Sequence, residues 1–184
     1  RTTQGGFSEL LDDELRPREL VCELVRGSPN LRTLSAVLLE SRSPRFDILA
    51  DISACTGLTS LSLDGLSSRV PTSSFESLVL NCQKLTRLGL LQSLLTDECV
   101  SLLSGLPHLA DLELDCADLT DNALCGLLRS CTGLTSLRLC ALEDSEGMSN
   151  VTDATLECVT QPLKELGLNG PFVKMTTGGV ASLL

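Results

Sequence analysis

The heptapeptide CTGLTSL occurs twice, at Cys55–Leu61 and at Cys131–Leu137. Identity over seven residues is improbable by chance in a chain of 184 residues, so the phrase marks a unit used more than once. Its last four letters open a longer frame, L-x-x-L-x-L. From Leu58 the frame reads LTSLSL; it returns as LTRLGL at Leu85–Leu90, LADLEL at Leu109–Leu114, LTSLRL at Leu134–Leu139 and LKELGL at Leu163–Leu168. A degraded copy, LRTLSA, stands at Leu31–Ala36. The starts are 27, 27, 24, 25 and 29 residues apart.

Between the frames the pattern changes. Pro17, Pro44 and Pro71 are spaced by 27, as are Ser28, Cys55 and Cys82. Later copies carry LTDECVSLL from Leu95, LTDNALCGLL from Leu119 and VTDATLECV from Val151. A Thr before an acidic residue and an i, i+4, i+7 apolar row predicts an N-cap with a first-turn carboxylate. Proline is tolerated in a first helical turn because its missing N–H is not needed there. The apolar period therefore switches from about 2 in the leucine frame to about 3.6 after the cap, and each unit reads strand, loop, helix, loop. One such unit cannot hide its own apolar face, whereas stacked units hide it between neighbours. The expectation is an α/β solenoid: a right-handed arc of six parallel strands on the inner face and about seven helices outside. It forms a single domain over 1–184, with 1–16 a degenerate N-terminal segment and 17–184 about six repeats. The frame leucines Leu112 and Leu137 are expected in its core.

Composition agrees with repetition. Hydrophobic residues make up 42%, yet there is no Trp, no Tyr and only four Phe, so the core must be built from many similar small layers. The net charge of −10 argues against nucleic acid, which demands basic patches. It argues equally against an anionic membrane surface. No apolar run approaches the roughly 18 residues of a membrane span. The opening RTTQGGFSELLDDEL is acidic and has no apolar run of the kind a signal peptide carries.

Nine cysteines are spread along the chain without a C-x-x-C pair. They read as reduced, small buried hydrophobes in a cytoplasmic, or nuclear, protein. Cys55, Cys82 and Cys131 each stand three residues before a frame leucine, a place shared with Ser28, Leu106 and Thr160. This is where the helix has ended and the chain turns inward, and packing explains it. Cys99, Cys125 and Cys158 are placed within helices. In a reducing compartment the sequon Asn150-Val151-Thr152 carries no meaning.

The run LTDNALCGLLRSCTGLTSLRLC, Leu119–Cys140, resembles the cysteine-containing leucine-rich repeats of F-box/LRR proteins. More loosely it is similar to ribonuclease-inhibitor-like repeats, and the repeat spacing lies in the leucine-rich window. The resemblance implies a horseshoe with the sheet on its concave face and helices on its convex face. It implies a protein-interaction module or scaffold, the substrate-receptor part of a Skp–cullin F-box ubiquitin ligase, or an enzyme inhibitor or GTPase regulator. The chain departs from the pattern where a polar Asn or Cys follows the last frame leucine. Leu66, Ser93, Ala117, Leu142 and Pro171 stand there, with Cys116 one residue early. No F-box is visible in residues 1–30.

No catalytic constellation emerges. The single histidine, His108, lies in the loop GLPHLADL and reads as exposed rather than as half of a Cys–His pair. Cys125 and Cys131 are six apart, which is not a zinc spacing, and NGPFVKMTTGG holds no phosphate-binding pattern. The reading is of a non-enzyme that needs no metal, cofactor or small-molecule ligand. The strand neighbours of the leucines alternate onto the opposite, inner face. There Asp111, Glu113 and Asp115 share one strand between strands bearing Arg87 and Arg138. Strands about 4.8 Å apart let both arginines reach a carboxylate. Two readings follow for these five residues: a ladder of ion pairs on a solvated sheet, or an acidic stripe that binds a basic segment of a partner protein.

Overall fold

The computed structural model describes residues 17–38, 47–66, 69–141, 150–160, 162–172 and 174–181. Six strands form one all-parallel sheet in sequence order: β1 (Thr33–Val37), β2 (Ser60–Asp64), β3 (Arg87–Leu91), β4 (Asp111–Asp115), β5 (Ser136–Cys140) and β6 (Glu165–Asn169). Among the described residues seven helices alternate with them. These are α1 (Pro17–Gly27), α2 (Ile48–Ile52), α3 (Thr72–Asn81), α4 (Asp97–Leu102), α5 (Asp121–Ser130), α6 (Asp153–Glu157) and α7 (Thr177–Ala181). A 3-10 turn, Leu103–Gly105, extends α4.

Register aligns the leucine frame across the sheet. One row runs Leu34, Leu61, Leu88, Leu112, Leu137, Leu166; the next runs Ala36, Leu63, Leu90, Leu114, Leu139, Leu168. From β2 to β5 these side chains are at most 1% exposed, Leu112 and Leu137 included. In β1 and β6, which pair on one side only, they are half-buried. Each fully buried leucine contributes roughly 1.5–3 kcal/mol, so the ladders make a continuous core out of units that have none singly.

The duplicated cysteine has a role in this stack. Cys82 and Cys131 are the C-caps of α3 and α5. Each thiol of the set donates to carbonyls at the end of the preceding unit's helix: Cys55 Sγ to Val25 O (3.9 Å) and Ser28 O (3.6 Å), Cys82 Sγ to Cys55 O (3.5 Å), Cys131 Sγ to Leu103 O (3.7 Å). Each of these carbonyls already accepts one backbone N–H from the turn that follows, and the thiol, a small side chain with a weak donor, adds a second contact without breaking close packing. Burial pushes all three thiols up, Cys82 to about 11.

The helix N-termini are joined in the same repetitive way. Thr96, Thr120 and Thr152 are N-caps whose hydroxyls accept from Cys99 N, Ala123 N and Ala154 N. The aspartate after each cap reaches forward to the next cap. Asp97 accepts from Thr120 N (3.1 Å) and Oγ1 (2.6 Å), Asp121 from Thr152 N (2.9 Å) and Oγ1 (2.7 Å), Asp153 from Thr176 N (2.7 Å) and Oγ1 (2.6 Å). One carboxylate thus serves its own helix end and clamps its neighbour's. Sequence reading assigns these aspartates only the first role.

Two expectations need correcting. Pro17 opens α1, but Pro71 is the residue before α3 rather than in its first turn, while Pro44 lies outside the described residues. The cysteines are not all thiols: Cys125 and Cys158 form a disulfide with Cα atoms 5.3 Å apart, and Cys158 caps α6 from beyond its end. Stacking brings together two residues whose separation of 33 bears no disulfide signature. The other seven remain buried thiols.

Candidate functional site

The face of the sheet opposite the leucines carries three rows, two of them aligned across all six strands and a third formed by Val37, Asp64 and Leu91 on β1–β3 and Asp115, Cys140 and Asn169 on β4–β6. The first is Thr33, Ser60, Arg87, Asp111, Ser136, Glu165; the second is Ser35, Ser62, Gly89, Glu113, Arg138, Gly167. Within the first two rows hydroxyls dominate β1 and β2, and charge is concentrated on β3 to β6; Asp64 at the end of β2 adds a carboxylate in the third. Arg87, Asp111, Glu113 and Arg138 are brought together around Gly89, with Ser62 and Ser136, lining one small, shallow hollow. Gly89 makes the hollow by lacking a side chain. A Cβ there would meet Ser62 Oγ at 3.3 Å and Glu113 Oε2 at 3.7 Å.

Arg138 does not pair chiefly with the acids of β4. Its Nη2 and Nε donate to Glu165 Oε1 at 2.7 and 3.0 Å, while Nη1 is 3.9 Å from Glu113 Oε2. The pairing is diagonal because Gly167, directly opposite Arg138, has no side chain to hold the guanidinium off. The Arg138 guanidinium pulls Glu165 below the usual carboxylate range, and Ser136 Oγ adds a contact of 3.4 Å. Glu165 is therefore the member of the cluster that sequence reasoning left out. The signal for it was an acid in register with Ser136 beside a glycine in register with Arg138.

Arg87 is in register with Asp111, yet among the described residues no carboxylate comes within ion-pairing distance of it. Asp115 departs from the expected solvated position. It is 5% exposed, its Oδ1 accepts from Ala117 N at 3.1 Å, and burial raises its carboxyl above the usual range. The turn that ends β4 draws this side chain inward. The acids open to solvent at the centre of the face are thus Asp111 and Glu113.

His108 is exposed in the turn after the 3-10 segment. Among the described residues no three metal-ligating side chains converge, and no helix is long and apolar enough to cross a membrane. Asn150 is exposed and accepts from Lys174 Nζ at 2.9 Å. Leu142 and most of the loop it begins lie outside the described residues. No protein-family model matches the chain, and no curated protein matches it.

Proposed function

We propose that the chain is a leucine-rich-repeat arc whose sheet forms the concave face and whose helices form the convex one. It acts without catalysis, as an interaction module that binds a basic segment of a partner protein around Asp111 and Glu113. The observation that carries this is the charge balance of the open face. Asp111, Glu113 and Glu165 oppose Arg87 and Arg138, and Arg138 is already held by Glu165. Two central carboxylates then face one unpaired guanidinium, beside the shallow hollow over Gly89. Acidic complementarity of this kind speeds encounter and selects the partner more than it sets raw affinity. No aromatic anchor stands on these rows, so charge and shape must do the selecting. We place the protein in the cytoplasm or nucleus, where seven buried thiols persist.

Calorimetric titration with an oligolysine and an oligoglutamate peptide tests the reading. Oligolysine should bind, weaken as salt rises, and lose its affinity in Asp111→Lys/Glu113→Lys. Equal affinity for both peptides, or an unchanged variant, would refute it.

A further inference from the structure

Of the nine cysteines, two differ from the rest in their bonding, and one of these in its exposure. Cys125 and Cys158 share a bond, and Cys158 is half-exposed at the edge of the core, at the C-cap of α6. The seven thiols are buried, and burial pushes five of them up, Cys22 to about 12. A reagent approaching the folded chain meets the cystine first.

The surroundings of the pair accommodate both of its redox states. Arg129 Nη2 lies 3.7 Å from Cys158 Sγ, where a guanidinium stabilises a thiolate. Cys125 Sγ lies 3.4 Å from Ala154 O, so a Cys125 thiol has an acceptor already in place for its proton. The bond ties the middle of α5 to the C-cap of α6. Asp121 ties their N-terminal ends through Thr152 and Thr155. α6 is five residues long and leads into β6, whose Glu165 holds Arg138. The cystine and Asp121 are therefore the helix-side ties of the unit that completes the charged face, beside the register of β6 with β5.

We propose that Cys125–Cys158 is a reversible thiol–disulfide exchange site, whose substrate is a dithiol carrier protein or small dithiol, and whose state sets how firmly α6 and β6 are held. In the reducing direction the carrier's thiolate attacks Cys158 Sγ, the more open sulfur. The S–S bond breaks, and Cys125 leaves as a thiolate that takes a proton and donates to Ala154 O. The carrier's second thiolate then attacks the mixed disulfide, its own S–S bond forms, and Cys158 leaves as a thiolate beside Arg129. Two electrons pass from carrier to protein; the carrier's disulfide form takes them back by the reverse steps. Leaving-group stability governs such rates, so Arg129 acts on the second step by stabilising the departing Cys158 thiolate.

The test is native differential alkylation of the purified chain, followed by mass spectrometry, before and after equilibration with dithiothreitol. Before reduction neither Cys125 nor Cys158 should label; after it both should, and the other seven should not. Returning the protein to oxidised dithiothreitol should restore the bond. Arg129→Gln should slow reduction several-fold, and Arg129→Lys should recover most of the rate. Hydrogen exchange should show β6 amides losing protection on reduction while β2 and β3 amides keep theirs. A cystine that resists the dithiol until denaturant is added is structural and overturns the proposal. So does labelling of all nine cysteines together, two free thiols in the air-oxidised protein, or β6 protection that ignores the redox state. Oligolysine affinity plays no part in any of these readouts, so this proposal and the proposed function can fail separately.

Discussion

Arg138 lies across the bare backbone of Gly167 and reaches the carboxylate of Glu165 two residues earlier on the same strand. A Cβ at Gly167 would stand 3.0 Å from Arg138 Cγ and 3.5 Å from its Cβ and Cδ. Those methylenes can move, but only by lifting the guanidinium. Gly167→Val should therefore separate the pair while leaving the strand, where a β-branched residue is well suited. Glu165, now held low by Arg138, should titrate closer to an ordinary glutamate in the variant. Carboxyl-carbon NMR titration of wild type and variant measures this directly. An unmoved Glu165 would mean that the guanidinium finds it by another route.

The core prediction concerns register. Leu112 is 1% exposed and lies between Leu88 and Leu137 in the same row. Leu112→Ala should cost about 2–5 kcal/mol, the usual range for a buried leucine that leaves a cavity. Leu166→Ala, half-buried on β6, should cost distinctly less. Urea denaturation of both variants distinguishes the two environments. Equal losses would contradict a core that fades toward the edge strand.

The frame leucines were legible because they obey a period, and a period survives without knowledge of any neighbour. Their two rows need only that strands be parallel and stacked in order. Pairing on the open face obeys no such rule. Whether Arg138 turns to Glu113 or Glu165 depends on the absent side chain of Gly167, and Asp115 is drawn in by the turn at Ala117. The clamps of Asp97, Asp121 and Asp153 were half-legible. The local sequence marks a first-turn acid, but its bonds to the next threonine cross 23 or 31 residues. The cystine was hidden for the same reason, since it joins positions that only the stack makes adjacent.

The thiol ladder makes a chemical prediction. Cys55, Cys82 and Cys131 donate to helix-end carbonyls, and burial raises all three. At neutral pH almost none of each is thiolate, the reactive form. Titration of native protein with a disulfide reagent should leave these three untouched, and denaturant should expose them. Fast labelling of Cys82 in the folded state would show that the ladder opens.

Acid response should divide by position along the chain. Asp121 is pushed up by burial, but its bonds from Thr152 and Thr155 outweigh this and hold it below the usual range. Its stabilising contribution is present above the unfolded carboxyl value and is lost as pH falls through the lower folded one. Asp115 has the opposite sign: burial raises it, so its ionised form opposes folding at neutral pH, and acidification through its raised value relieves that cost. Asp121→Ala should cost about 1–3 kcal/mol at neutral pH, as the loss of a charged acceptor that serves three donors does, and should flatten the decline as pH falls through the carboxylate range. Asp115→Asn keeps an oxygen for Ala117 N, so it should raise neutral stability and make the loss on acidification steeper. Denaturant midpoints measured across this range for the two variants give both slopes. If Asp115→Asn lowers the neutral midpoint, its carboxylate has a favourable partner, and the inward turn of that side chain is part of the binding face after all.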